Sequence, residues 1–172
     1  MRKIIKLIVL TILLSVFSFL VINIISKSKE KNSLIKRLQT IPEFQLSKLD
    51  NTKFSNSNLE LNKATVFIYF NSECEFCQYE AEEIYNNLDS LTKAQFLFVS
   101  KEDKEIIKQF SENYNLHNQS NITFLHDTES IFSSEFDAKT TPYILIYNKE
   151  KKVIQKYNGQ LSANEILKAL NK

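Results

Sequence analysis

Two cysteines, Cys74 and Cys77, carry the clearest chemistry in this sequence. They are the only cysteines among 172 residues and lie in the segment CEFC. The apolar run before them predicts a strand and the run after them predicts a helix, so the pair would lie at the start of that helix. Two thiols alone cannot form a four-ligand zinc site. A Cys-x-x-Cys pair in this position is typical of a site where a dithiol and a disulfide interconvert.

The position of each cysteine in the predicted helix indicates its role. Unpaired backbone N–H groups and the helix dipole stabilise an anion at the helix N-terminus, so we expect Cys74 to be the exposed, attacking thiolate. Cys77, deeper in the first turn, would resolve the mixed disulfide. The redox-active pair Cys74–Cys77 would then do the chemistry without a bound cofactor or metal.

Acidic residues surround the cysteine pair, and no lysine or arginine occurs between Lys63 and Lys93. The acidic residues are Glu73, Glu75, Glu80, Glu82 and Glu83. Negative charge near a thiolate disfavours it and opposes the helix dipole. A less stable thiolate implies a couple that is more easily oxidised, so the sequence favours a reductant over a strong oxidant.

Glu80 is the acidic residue best placed for proton transfer. It follows Cys77 by three residues and shares its face of the predicted helix. A partly buried glutamate with a raised pKa can exchange protons with the resolving thiol. The alternative is a solvated glutamate that complements the helix dipole, which is our interpretation of Glu82 and Glu83.

The elements around the pair predict an α/β fold, a central mixed sheet with helices on both faces. A hairpin is predicted at 44–55, with strands at 64–70, 96–99, 122–125, 143–147 and 153–157, and helices at 74–91, 103–114, 130–136 and 162–170. Apolar spacing directs Ala81, Ile84, Tyr85 and Leu88 of the first helix, and Ile106, Ile107 and Phe110 of the second, toward the core. Pro142 falls where a strand begins, a position that also suits an ordinary trans proline.

The N-terminus has the pattern of a membrane anchor. A basic start precedes 19 residues without charge, Leu7 to Ile25, enough for a helix to span a hydrocarbon core of about 30 Å. We predict an anchor at 1–26 that meets the membrane through residues 4–25, a polar linker at 27–40 and one domain at 41–172. A cleaved signal sequence is the alternative for the first segment.

Composition excludes several classes of function. With 22 basic and 20 acidic residues the net charge is +2, which provides no basic surface for nucleic acid. The single glycine, Gly159, rules out glycine-rich loops for dinucleotides or nucleotide phosphates. Seventeen asparagines are available for the left-handed turn positions that glycine normally takes.

These motifs together resemble known families. The strand, CEFC, the helix, Thr141-Pro142 before a strand, and Gly159 before the last helix are similar to the thioredoxin fold over roughly residues 42–172. The anchor, the opening FQLSKLDNTKF hairpin and the long segment before Thr141 resemble more closely the TlpA/ResA-like membrane-anchored thiol–disulfide oxidoreductases. Cys-Glu-x-Cys-x-x-Glu, from Cys74 to Glu80, matches the ResA-type active site.

The resemblance implies several features of the site. Glu80 would be part of the redox centre, the Thr141–Pro142 bond would be cis, and the Thr141 backbone would bind a substrate segment. Glu75 and Phe76, between the cysteines, are also predicted to contact substrate. The chain departs from the family where Glu73 replaces the usual Trp and where Phe76 replaces a common Pro.

The resemblance also implies a location and partners. Such proteins cross the inner (cytoplasmic) membrane once, with the C-terminal domain on the extracytoplasmic (periplasmic) side. Their partners are the thiols or disulfides of client proteins and an upstream electron donor, for which a membrane thiol transporter is a candidate. In several cases they reduce the cysteines of apocytochromes c before haem attachment.

Two other functions share parts of this pattern. A peroxiredoxin-like thiol peroxidase needs Thr or Ser three residues before its reactive cysteine and an arginine beside it, whereas this chain has Asn71 there and no arginine after Arg37. A metal-binding module would combine the cysteines with a histidine. The only histidines, His117 and His126, lie far along the chain and are better explained as surface or core residues.

Overall fold

The computed structural model describes residues 2–171, except for the side chains of residues 3–11 and 13. Helix α1 (Arg2–Leu38) opens the chain, which divides into two compact units, Met1–Arg37 and Leu38–Lys172. Within the described residues, no helix has both the length and the apolar character that a membrane crossing requires. The anchor predicted at 1–26 falls partly on side chains outside the described residues and stays a prediction. The linker predicted at 27–40 is helical up to Leu38.

The second unit is the α/β domain that the sequence predicts. Its strands are β1 (Gln45–Lys48), β2 (Lys53–Ser55), β3 (Ala64–Tyr69), β4 (Ala94–Ser100), β5 (Ile122–His126), β6 (Tyr143–Tyr147) and β7 (Val153–Asn158). Its helices are α2 (Glu75–Asn86), α3 (Lys104–Asn113), α4 (Ile131–Glu135) and α5 (Ala163–Leu170). The predicted cap of the last helix is confirmed, because the Ser162 hydroxyl accepts from the Glu165 N–H in a reciprocal capping box.

One mixed sheet of seven strands, in the order β2-β1-β5-β4-β3-β6-β7, forms the centre of this domain. Strands β3, β4 and β5 are parallel. The remaining strands pair antiparallel, including the predicted β1–β2 and β6–β7 hairpins. Strand β3 lies between β4 and β6, so the chain leaves the middle of the sheet immediately before the cysteine pair.

Alternating side chains of β3 are buried on opposite faces of the sheet. Val66 and Ile68 belong to a core cluster that also contains residues of α2, α3 and α5. Phe67 points to the other face, where its ring contacts those of Phe132 and Phe136 from the α4 segment. Because both faces are covered, the strand is apolar throughout rather than alternating with polar residues.

Two predicted core positions are wrong. Tyr85 is 41% exposed and Ile106 is 41% exposed, although their neighbours Ile84 and Ile107 are fully buried. Consecutive residues of a helix differ by about 100° in direction, so a helix with a narrow buried stripe buries only one of two adjacent apolar residues. The first predicted helix is also shorter, ending at Asn86 before a separate 3-10 turn at Leu88–Ser90.

Candidate active site

The loop that follows β3 places the first cysteine at the start of α2. The Asn71 carbonyl accepts the Cys74 N–H (3.2 Å), and the Asn71 side chain accepts the Glu73 N–H (3.0 Å). Cys74 is the N-cap residue, and its carbonyl accepts the Cys77 N–H (2.9 Å). The predicted position of Cys74 at a helix N-terminus is therefore confirmed.

The two thiols differ in environment. Both cysteines are free thiols in the structure, Cys74 half-buried and Cys77 buried. Burial raises the pKa of Cys77 well above its usual range, and the adjacent Cys74 thiol acts in the same direction. Cys74 is therefore the sulfur that an outside protein can reach, whereas Cys77 needs a proton acceptor before it can act as a nucleophile.

The loop before β6 lies against the Cys74 sulfur. The Thr141–Pro142 bond is cis, as the family resemblance implies. The Thr141 carbonyl accepts from the Cys74 thiol at 3.6 Å, and the Pro142 carbonyl accepts the Gly159 N–H at 2.8 Å. The Pro142 side chain is buried and Thr141 is half-buried; substrate contact by these two residues stays a prediction.

Glu80 is a fully buried carboxyl one turn beyond Cys77. Its Oε2 accepts the Leu161 N–H at 2.7 Å, while its Oε1 has no hydrogen-bond partner among the described residues. Burial raises the pKa of Glu80 to about 8, against the lowering effect of the Leu161 hydrogen bond, and the charges of Glu165 and Glu83 raise it further. Such a group exchanges a proton near neutral pH.

A second glutamate of α2 binds the same downstream segment. Glu83 is half-buried, and its Oε2 accepts the Ala163 N–H at 3.2 Å. Our interpretation of Glu83 as a solvated residue is therefore wrong, whereas Glu82 is exposed as expected. Backbone N–H groups at the start of a helix have no partner within that helix. At the start of α5, Glu80 accepts the N–H of Leu161 and Glu83 accepts the N–H of Ala163.

Between the cysteines, Glu75 and Phe76 lie on the outside of the domain. Glu75 is exposed and Phe76 is 61% exposed. An apolar ring with this much contact with water, next to the reachable sulfur, is available to a partner protein. Substrate contact by both residues stays a prediction.

Glu102 is a site residue that sequence analysis missed. It lies between β4 and α3, and its two carboxylate oxygens accept the Ser72 N–H (2.8 Å) and the Ser72 hydroxyl (2.7 Å). The Ser100 hydroxyl also donates to it at 3.1 Å, and Gln78 donates to the Ser72 carbonyl at 2.9 Å. This network fixes the loop that leads into Cys74.

We expect Glu102 and Ser72 to stabilise the domain jointly. A double-mutant cycle with Glu102→Gln and Ser72→Ala, measured by chemical denaturation of the reduced protein, should give a coupling free energy of about 1–2 kcal/mol because the Ser72 hydroxyl donates to a charged carboxylate. The backbone N–H bond remains in Ser72→Ala, so the cycle measures the hydroxyl bond alone. Glu105→Gln, an exposed change on the neighbouring helix, should shift stability by less than about 0.5 kcal/mol. Additive effects of the two mutations would contradict the network.

The histidines do not join the cysteine pair. His117 is exposed and His126 is half-buried at the end of β5. In the part of the chain that the structure describes, no three side chains of His, Cys, Asp or Glu come together as a potential metal site.

The sequence matches one family model, AhpC/TSA, over residues 38–156. The chain belongs to the AhpC/TSA family. The match covers the whole segment from the start of the second unit through β6 and most of β7, including both cysteines and the Thr141–Pro142 loop. No curated protein sequence matches the chain.

Solved structures with the same fold include DsbF, StoA and a peroxidoxin. DsbF of MTB, solved in mixed oxidized and reduced forms, has a TM-score of 0.65 at 23% identity over 78% of this chain and 95% of its own. StoA from Bacillus subtilis has a TM-score of 0.60 at 13% identity, covering 76% and 98%. Peroxidoxin BcpB from Mycobacterium tuberculosis has a TM-score of 0.66 at 16% identity, covering 77% and 94%.

The predicted α/β class and the thioredoxin-like fold are thus confirmed for the domain. Membership of the AhpC/TSA family identifies a redox enzyme, a thiol–disulfide oxidoreductase or a peroxidase. The distinction between these two activities depends on the residues around Cys74.

Proposed function

We propose that this protein is a membrane-tethered thiol–disulfide oxidoreductase of the TlpA/ResA-like type that reduces disulfides of client proteins outside the cytoplasm. One observation carries the proposal. Cys74 is half-buried at the N-terminus of α2, one turn from the buried Cys77, and its sulfur meets the Thr141 carbonyl of the cis-proline loop.

The first step is attack by the Cys74 thiolate on a client disulfide. A bond forms between the Cys74 sulfur and one client sulfur, the client S–S bond breaks, and the other client sulfur leaves as a thiolate. The helix N-terminus favours the attacking anion. Thr141 lies where the client backbone would pass, since its carbonyl already approaches the Cys74 sulfur.

The second step closes the enzyme disulfide. Cys77 gives up its proton and attacks the Cys74 sulfur, which releases the second client thiolate and transfers two electrons to the client. Since burial raises the pKa of Cys77, this step needs a base. Glu80, one turn further along α2 with a pKa of about 8, is our candidate for the proton acceptor.

A thiol peroxidase is the second candidate, because the family is AhpC/TSA and a peroxidoxin shares the fold. The residues beside Cys74 favour disulfide exchange instead. Asn71 holds the place three residues before the reactive cysteine, and it uses its carbonyl and side chain to build the helix start. No arginine occurs in the second unit to stabilise a peroxidatic thiolate.

The two activities are separated by one comparison of substrates. With dithiothreitol as the electron source, we expect the full chain to accelerate reduction of insulin disulfides and to give negligible turnover of hydrogen peroxide. A double variant, Cys74→Ser with Cys77→Ser, serves as the control and should remain at the uncatalysed rate. Fast turnover of hydrogen peroxide without reduction of insulin would contradict the proposal and show that the protein is a thiol peroxidase.

Tethering by residues 4–25 is proposed from the sequence and from one feature of α1. Between Ile12 and Ile25 ten large apolar side chains of this helix are exposed, and such a surface favours lipid over water. A membrane-impermeant thiol reagent should label Cys74 in intact cells that express the protein. Labelling only after lysis would contradict the extracytoplasmic location.

A further inference from the structure

Three carboxylates meet at the start of α5, one on each of three successive backbone N–H groups. Two of these carboxylates belong to α2 and the third belongs to α5 itself. The N–H groups are those of Leu161, Ser162 and Ala163, and their acceptors are, in the same order, Glu80 (2.7 Å), Glu165 (2.8 Å) and Glu83 (3.2 Å). Because the N–H groups at a helix start favour anions, they hold together side chains that would otherwise repel one another.

The three carboxyls differ in their access to water. Glu80 is fully buried, whereas Glu83 is half-buried and Glu165 is exposed. Hydrogen bonds from the hydroxyl and the N–H of Ser162 lower the pKa of Glu165, and the charge of Lys168 acts in the same direction. In the described part of the chain, no lysine or arginine forms an ion pair with Glu83. The buried carboxyl therefore has two negative neighbours on the side of α5.

These neighbours act on Glu80 through their charge. Burial is the main cause of the raised pKa of Glu80, and the charges of Glu165 and Glu83 raise it further. The sheet beneath α2 contributes apolar side chains, such as Ile144 of β6, and Cys77 is the titratable group on the buried face of the same helix. The charge around Glu80 is therefore set from the start of α5, not from the sheet.

We propose that Glu83 and Glu165 are positioning residues of the redox centre, which fix the start of α5 against α2 and make Glu80 a stronger base. The inference rests on the proposed function and adds two residues to it. When the enzyme disulfide closes, the Cys77 proton moves to Glu80, the bond between Cys77 and Cys74 forms, and the client sulfur leaves as a thiolate. Neighbouring negative charge favours the protonated carboxyl and so drives this transfer, but it also leaves fewer Glu80 carboxylates at low pH.

The test removes each charge and keeps the hydrogen bond. Glutamine retains the acceptor oxygen, and it also supports a capping box. We expect Glu83→Gln and Glu165→Gln each to lower the pH midpoint of disulfide closure by about 0.5–1 unit. Because the ionised fraction of Glu80 rises more than its base strength falls, closure should be about two- to threefold faster near pH 6.5 and about two- to threefold slower above about pH 9. Closure is followed by rapid-mixing release of the second client thiol.

A crossing of the two pH profiles separates this effect from structural damage, which would slow closure at every pH. Glu82→Gln is the matched control, because Glu82 carries the same charge on the same helix but is exposed and does not act on Glu80. Its profile should match the wild type.

A second readout does not depend on activity. Infrared titration of the reduced protein follows the protonated carboxyl band that Glu80→Gln removes, and its midpoint should fall by the same amount in Glu83→Gln and Glu165→Gln. An unchanged infrared midpoint in both variants, or slower closure at every pH, would overturn the inference and leave the proposed function intact. Failure of the wild-type chain to reduce insulin disulfides would instead refute the proposed function.

Discussion

Replacing Cys77 with serine should trap client proteins on Cys74 as stable mixed disulfides. The reason is that attack by Cys74 needs only an exposed sulfur at a helix N-terminus, whereas release needs the second sulfur to attack from the buried side. Cys74→Ser should remove both steps and lower the rate of disulfide reduction by at least about 10³-fold. Adducts are measured by non-reducing electrophoresis and mass spectrometry of the full chain.

The wild-type protein and Cys74→Ser are the controls for trapping, and neither should accumulate adducts. Serine differs from cysteine by one atom, so both variants should fold around the same core. If Cys74→Ser trapped clients and Cys77→Ser did not, the roles of the two sulfurs would be reversed. That result would conflict with the burial of Cys77.

Glu80→Gln should slow closure of the enzyme disulfide by about 10²-fold or more, the usual contribution of a positioned general base. In the wild type, the rate of closure should rise about tenfold per pH unit and level off near pH 8, because the pKa of Glu80 is about 8 and only the carboxylate accepts the Cys77 proton. The rate is measured by rapid-mixing release of the second client thiol. Glu82→Gln, an exposed change on the same helix, should keep the wild-type profile.

The raised pKa of Glu80 also makes the stability of the folded domain depend on pH. Between pH 4.5 and pH 8 the folded Glu80 carboxyl keeps a proton that the unfolded carboxyl has lost, so the wild-type domain loses stability as pH rises through this range. The loss should be on the order of 4 kcal/mol. Because glutamine mimics the protonated form, Glu80→Gln should remove this slope in chemical denaturation. An unchanged slope would show that Glu80 titrates at its ordinary pKa.

The parts of the site that the sequence predicts are local. Strand β3, the CEFC segment and the start of α2 are adjacent in the chain, so apolar patterning and helix-start chemistry are enough to place Cys74 and Cys77. Turn chemistry is also local. Among the described residues, six other than glycine have positive φ, and three of them are asparagines, namely Asn51, Asn62 and Asn115, as the shortage of glycine predicts.

The parts that the sequence could not predict depend on distant partners. Leu161, which binds Glu80, is 81 residues away from it, and Glu102 is 30 residues from Ser72.

A redox titration of the full chain tests the central claim most directly. Equilibration with buffers of reduced and oxidised dithiothreitol, followed by quenching and counting of free thiols, should show one two-electron transition in which Cys74 and Cys77 change together. The acidic surroundings and the buried Cys77 thiol predict a reducing potential, near the value of about −270 mV found for thioredoxin. A potential near −120 mV, as in the strongest protein oxidants, or thiols that never pair, would contradict the account.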